Sequence, residues 1–251
     1  MSERHTPPST EPVLHAQDVD HEYGSVSVLE GVTLPIRADA VTALIGPNGS
    51  GKTTLLRVLS GLLEPTGGTV TDRGPDAARR IGYLPQQPAF RPGFTVRETL
   101  QFYGSLVGEG DGATLERLER VGLADAADRP VDALSGGMTR LVGIAQATIG
   151  DPPVVVLDEP ASGLDPGMST HVFEVATELA AAGTAIVLSS HDLELVERNA
   201  HEVAILDDGA IVDRGDPGDV CDRVGVDSLR DAYEESITGD TRTVRVQGVT
   251  T

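Results

Sequence analysis

The chain has 251 residues, enough for one sizeable α/β domain or a core with a smaller lobe; with 3% aromatics and no tryptophan, its interior must rest on Val, Leu, Ile and Ala. Its 39 acidic against 19 basic residues give a formal net charge of -20, a field that repels DNA, RNA and anionic headgroups and argues against a nucleic-acid-binding surface. Cys221 is the only cysteine, which excludes an intrachain disulfide and fits a cytosolic compartment, and nowhere do about 18 uninterrupted apolar residues occur to span a bilayer.

Residues 1–12 are polar and proline-containing, without an apolar signal-peptide segment, and read as a disordered leader. From Val13 to Val70 short β-like runs alternate with turns, and Gly67-Gly68 marks a hairpin-like return. Within this stretch Val41-Thr42-Ala43-Leu44-Ile45 reads as a buried strand, and Thr53 to Leu59 as a helix. Between them run Gly46, Pro47, Asn48, Gly49, Ser50, Gly51, Lys52 and Thr53, with Thr54 next. This is G-x-x-x-x-G-K-[ST], a loop whose backbone N–H groups curl round phosphate while a compact ammonium reaches the β- and γ-phosphates. Lys52 is the only lysine in the chain, kept where such a loop needs one. The following helix N-terminus adds partial positive charge, so strand, loop and helix together imply a bound nucleoside triphosphate.

A strand at Arg80–Leu84 ends at Pro85-Gln86-Gln87. From about Pro88 to Gly150 the pattern turns helical: Thr95–Val107 and Thr114–Val121 carry apolar residues at helical spacing, with Glu98 and Glu116 in first turns, which predicts an inserted helical lobe. Inside it, Leu134-Ser135-Gly136-Gly137 precedes a helix and suits an anion, although Ser135 would serve an ordinary N-cap equally well. Val154–Leu157 and Ala185–Leu188 are continuously apolar and flank a helical pattern from Pro166 to Ala182, a β-α-β order that predicts a parallel sheet. The first of these strands ends in Asp158-Glu159. In a chain with a phosphate loop, a carboxylate at such a strand end can hold Mg2+ beside the Thr53 hydroxyl, and the adjacent Glu159 can orient or deprotonate an attacking water. Val203–Leu206 and Ala210–Val212 flank the hairpin signal Asp207-Asp208-Gly209, and beyond Gly218 an acidic tail reads as partly helical and frayed past Gly239.

Together these residues resemble the ATP-binding-cassette ATPases, motor subunits of membrane transporters, from about Val13 to Gly218. The resemblance implies an α/β fold: a P-loop NTPase core with a parallel sheet, a small antiparallel β subdomain and an inserted α-helical signature subdomain at about 88–150. Residues 13–218 would form this domain, with the leader 1–12 before it and the tail 219–251 after it. It also implies ATP and Mg2+. Tyr23 would stack on adenine, Gly46–Thr53 would be the Walker A loop, and Asp158 and Glu159 the Walker B pair. Gln86 would be the Q-loop glutamine, completing with Thr53 and Asp158 the set around Mg2+. Leu134–Gly137 would be the signature motif, Asp165 would end the D-loop Ser162-Gly163-Leu164-Asp165, and His191 in Leu188-Ser189-Ser190-His191-Asp192 would be the switch histidine at the γ-phosphate. Glu159, His191, Gln86 and Lys52 would carry the chemistry. Met138 stands where the family usually has glutamine, and Leu141 where a basic residue is common, with Arg140 beside it.

The family mechanism pairs two cassettes head to tail, so each ATP would lie between one copy's Lys52 loop and the other's Ser135 and Gly137. The implied partners are a second copy of the chain and separately encoded transmembrane permease subunits, which would hold a cytoplasmic protein at the inner face of the membrane. Phe90, Phe94 and Phe102 fall in the helical lobe, either as core or as part of a docking patch. Ser228-Leu229-Arg230-Asp231-Ala232-Tyr233-Glu234-Glu235 resembles a C-terminal segment of exporter-type cassettes that often reads S-L-E-D-x-F, consistent with copper-processing or drug-export systems. The competing reading is a soluble cassette ATPase serving cofactor or iron–sulfur assembly.

Dense carboxylates with lysine replaced by arginine also suggest adaptation to high salt, because a charge of -20 is self-repulsive when unscreened. The Debye length falls from about 30 Å at 0.01 M salt to about 3 Å at 1 M. The melting temperature should therefore rise between dilute buffer and molar KCl; a flat or falling series would remove the halophile reading.

Overall fold

The computed structural model describes residues 11–238, so the expected leader up to residue 10 and the segment beyond 238 lie outside the described residues. The chain opens with two long strands, β1 (Leu14–Tyr23) and β2 (Val26–Ile36), then β3 (Val41–Ile45) and helix α1 (Lys52–Leu59). Strands β4 (Gly67–Asp72) and β5 (Ile81–Leu84) follow, then helices α2 (Val96–Ser105), α3 (Asp111–Arg120) and α4 (Gly136–Ala147). β6 (Val154–Leu157), α5 (Pro166–Ala181) and β7 (Ala185–Ser189) form the expected β-α-β unit. Next come α6 (Leu193–Asn199), β8 (Glu202–Asp207), β9 (Ala210–Gly215), α7 (Pro217–Val224) and α8 (Leu229–Thr238).

Two sheets result. The larger runs β5-β6-β7-β3-β8-β9, parallel except for the edge strand β9, which returns from β8 through Asp208 and Gly209, both at positive φ. The smaller, β2-β1-β4, is antiparallel. Burial explains the unbroken apolar runs of the parallel strands. Val155, Leu157, Ile186 and Leu188 pack on the face covered by the helices of the insertion and by α5, α6 and α8, whereas Val154, Val156, Ala185 and Val187 pack on the face covered by α1 and the small sheet. A parallel strand buried on both faces has no use for alternation.

The insertion between β5 and β6 is helical as expected and shares its core with the sheet: Leu100, Leu118, Val121 and Leu141 belong to the same apolar cluster as Leu157 and Leu188. α2 starts at a capping box, Thr95 accepting from the Glu98 N–H while the Glu98 carboxylate accepts from Thr95. α3 starts three residues earlier than its apolar spacing suggested, at Asp111, so Glu116 lies beyond the first turn. Buried Arg117 donates to Glu109, to the Thr148 carbonyl and to Asp151, fastening α3 to the loop after α4. Of the three phenylalanines noted here, Phe102 is half exposed, and Phe90 packs against the core.

Two further expectations change. Gly67-Gly68 does not close a hairpin between neighbouring strands; both glycines begin β4, which pairs with β1 some fifty residues upstream, Asp20 facing Gly67. A Cβ on Gly68 would meet the Asp18 carbonyl oxygen at 2.1 Å, so the close approach of β1 accounts for the glycine. The boundary expected at Gly218 falls inside α7, and residues 217–238 are packed rather than appended. Val220, Leu229 and Ala232 are fully buried in the main cluster, and the Leu229 N–H donates to Glu197 on α6 at 3.1 Å. Cys221 is buried in α7, where desolvation and the nearby Glu197 and Asp222 carboxylates push its thiol up, away from nucleophilic chemistry.

If α8 belongs to the cooperative unit, Leu229→Ala should lower unfolding stability by about 2–5 kcal/mol, as for other fully buried leucines. Chemical denaturation checks this, and an unchanged midpoint would mean that α8 docks without stabilising the core.

Candidate functional site

The central strands β3, β6 and β7 deliver their C-terminal ends to one edge of the larger sheet, and the candidate residues follow directly from them. After β3 the chain turns through Gly46 to Gly51 and enters α1 at Lys52. The turn is steric as well as conformational: a Cβ on Gly46 would meet the Leu206 carbonyl oxygen at 2.1 Å, and Gly51 combines φ 103° with backbone contact to Val28. α1 has no side-chain cap, which leaves its first N–H groups facing the loop. Lys52 is 7% exposed and folds back so that Nζ donates to the carbonyls of Gly46 (2.8 Å) and Pro47 (2.9 Å). Burial pushes its ammonium down from the usual lysine range, while the charges of Glu159 and Asp158 act the other way. Ser50 Oγ is buried without a partner among the described residues. Uncapped N–H groups, an orphaned hydroxyl and a lysine resting on its own loop fit an anion of phosphate geometry.

Asp158 and Glu159 follow β6. Asp158 is 1% exposed; its Oδ1 accepts from Thr53 Oγ1 (3.2 Å) and Ser189 Oγ (2.9 Å), and its Oδ2 from the Tyr83 hydroxyl (3.5 Å). Hydroxyl and carboxylate are thus already adjacent, a hard oxygen pair suited to Mg2+, and Gln86 lies close by. Glu159 sits at φ 47°, unusual for a residue with a side chain. Its N–H donates to Ser189 Oγ at 2.8 Å, its Oε2 accepts from Gln86 Nε2 at 2.9 Å, and its Oε1 meets His191 Nε2 at 2.8 Å. Sequence reasoning named Gln86, Glu159 and His191 separately; the structure joins them.

Tyr23, Asn48, Lys52, Thr53, Gln86 and Glu159 line one cleft of about 550 Å3, together with Gly49, Gly51 and Thr54. Tyr23, 49% exposed at the end of β1, is met edge-on by the buried ring of His21 at 4.7 Å between centroids. His21 Nδ1 is within 3.1 Å of the Glu64 carbonyl, which makes it the donor there.

The remaining candidates do not join this cleft. Ser135 caps α4, Oγ accepting from the Met138 N–H at 3.3 Å. Gly136 has open space where a side chain would go, whereas a Cβ on Gly137 would press on Met168 at 2.5 Å. Asp165 caps α5 by accepting from the Met168 N–H at 3.0 Å. Of the two departures noted near the signature segment, the one at Leu141 has a local account. Leu141 is a core residue, and Arg140 turns instead to the carbonyls of Pro85 and Gln86, its guanidinium pulled down by burial.

Sequence reasoning gave no role to Ser189, Tyr83 or Arg140. Ser189 lay inside a motif that drew attention only to His191. The available signal was a hydroxyl closing an apolar strand whose next neighbour, β6, ends in two carboxylates.

The sequence model described as ABC transporter matches residues 29–162. The linearmycin resistance ATP-binding protein LnrL of Bacillus subtilis (strain 168) is 32% identical over 86% of this chain and 73% of its own length. The Nod factor export ATP-binding protein I of Ralstonia nicotianae is 37% identical over 82% of this chain and 68% of its own. Among solved structures, a bacterial ABC transporter cassette in dimeric form superposes with a TM-score of 0.72 at 25% identity, covering 81% of this chain and 98% of that one.

Ser189 Oγ bonds to both Asp158 and the Glu159 backbone. Ser189→Ala should therefore lower ATP turnover about tenfold, the size of losing bonds to charged and strained groups, and should raise the Mg2+ concentration needed for half-maximal rate. Ser189→Thr should recover part of both. Wild-type turnover with an unchanged Mg2+ requirement in Ser189→Ala would reduce the hydroxyl to packing.

Proposed function

We infer the working cycle of this chain from its place in the ABC transporter family, to which it belongs as an ATP-binding cassette. It is the ATP-binding and ATP-hydrolysing subunit of an exporter-type transporter, acting on a permease made of separate chains. Among the described residues no helix is long and apolar enough to cross a membrane, so attachment to the inner face would come through that permease. The similarity to export and resistance ATP-binding proteins supports the exporter reading over a soluble assembly ATPase.

The observation that carries the chemistry is the convergence on Glu159. One carboxylate, held from both sides by Gln86 and His191, faces the same cleft as Lys52 and Thr53. In the proposed cycle Tyr23 stacks on adenine, and Lys52 exchanges the Gly46 and Pro47 carbonyls for the β- and γ-phosphate oxygens. Thr53, Asp158 and Gln86 would hold Mg2+, which when bound would neutralise phosphate charge. Glu159 orients a water and takes its proton as the water oxygen bonds to the γ-phosphorus; the bond from that phosphorus to the bridging oxygen breaks, and ADP leaves with the electron pair. His191 steadies the Glu159 carboxylate and the γ-phosphate. Preorganisation is the main contribution, since phosphoryl transfer needs positioning and charge more than covalent help.

Ser135, Gly136 and Gly137 lie outside the cleft within one chain, which supports a site completed by a second copy. ATP would then bridge two subunits and its hydrolysis release them, making the dimer the bistable element. Mixing tests this. Ser135→Arg should bind ATP but not hydrolyse it, and Lys52→Ala should bind ATP poorly and be inactive. Together they should regain ATPase through one intact composite site per heterodimer, with ATP-dependent heterodimer formation measured alongside. Full activity of Ser135→Arg as a dilute monomer would refute the shared site.

A further inference from the structure

A second cavity, of about 420 Å3, shares Glu159 with the nucleotide cleft but contains none of the phosphate-loop residues. Its wall includes Ser162, Ser190, His191, Asp192 and, from α8, Arg230. Glu159 already accepts from Gln86 and His191, and Asp192 Oδ1 accepts from the Leu195 N–H at 3.1 Å. Ser190 Oγ accepts the Asp192 N–H at 3.0 Å, which leaves its own O–H to donate. Ser162 Oγ has no partner among the described residues, and neither has the exposed guanidinium of Arg230. The wall therefore offers unused donors around a single cation, while both Glu159 oxygens and one of the two Asp192 oxygens already accept a bond. A small tetrahedral oxyanion matches that set, and Arg offers it a planar fork of N–H groups.

We propose that this cavity receives inorganic phosphate after hydrolysis, with Arg230 as the receiving cation. The inference rests on the ATPase reading, because phosphate arises beside Glu159, which both cavities share, and His191 stands on the wall of the second. It also gives α8 a chemical use: the packing of Leu229 in the core fixes its neighbour Arg230 at the rim. Glu159 and Asp192 repel an anion held there, so the site binds loosely and suits transit rather than storage.

The test is calorimetric titration of inorganic phosphate at constant ionic strength into the full chain carrying Lys52→Ala, which removes the competing phosphate-loop contact. Adding Arg230→Ala should weaken phosphate binding about tenfold, the loss expected for charge-assisted bonds, and Arg230→Lys should weaken it less. Arg198→Ala is the charge-matched control: it removes an exposed, paired arginine outside the cavity and should leave the affinity unchanged. Absence of phosphate binding, equal affinity with and without Arg230, or an equal loss in Arg198→Ala would each overturn the proposal. ATP turnover by the unmodified chain in the same buffer separates the two levels of inference. Without turnover the ATPase reading fails; with turnover but no Arg230 dependence, only the phosphate site does.

Discussion

Three adjacent parallel strands, β6, β7 and β3, end at one sheet edge, and the chemistry of this chain depends on their register. Val154 to Leu157 pair in step with Ala185 to Leu188, and Val41 to Leu44 with Ile186 to Ser189. That alignment puts Ser189 beside Asp158 and Glu159, and His191 two residues on. A one-residue slip would turn Ser189 toward the opposite face and exchange every apolar side chain between the two cores, so burial on both faces locks the site as firmly as the fold. The positive φ of Glu159 is maintained in the same way: Ser189 takes its N–H, and Gln86 after β5 and His191 just past β7 take its carboxylate.

An acidic chain that binds an anion is not a contradiction once distance is considered. The charge of -20 is spread over the whole surface and screened over about 8 Å at physiological ionic strength. The phosphate loop works at hydrogen-bond range, with the uncapped start of α1 and Lys52 both inside a partly closed cleft. Short-range donors there outweigh a diffuse repulsion. The cost appears in Lys52 itself, whose ammonium is desolvated and rests on carbonyl oxygens that phosphate would replace.

Much of this was readable from the sequence, for identifiable reasons. Strands buried on both faces appear as continuous apolar runs, and the phosphate loop combines a rare lysine with glycines that backbone contact makes obligatory. Misreadings occurred where a residue's reason lies far away in the chain. Gly68 answers to Asp18 across the small sheet rather than to a local turn. Leu229 and Ala232 sit in an acidic segment whose composition suggested a tail, yet α6 and β8 offer them a core. α3 begins among Asp111 and Gly112, where apolar spacing gives no cue. Ser189 and Tyr83 act through neighbouring strands, and no local pattern marks that.

Arg140 shows how such long-range contacts tie the parts together. The signature helix α4 carries it, and its guanidinium grips the carbonyls of Pro85 and Gln86, while the side chain of Gln86 holds Glu159. One residue thus has its backbone bound to the helical insertion and its amide bound to the carboxylate that faces the cleft. The insertion shares a core with the sheet, so it can move as a body only by small shifts in packing. Any such shift must either break the contact of Arg140 or displace Gln86. In the second case Glu159 loses the partner opposite His191, and its orientation changes without any movement of the phosphate loop. The departure at Leu141 fits this division of labour: Leu141 anchors the helix in the core, and the charge one residue earlier reaches for the loop.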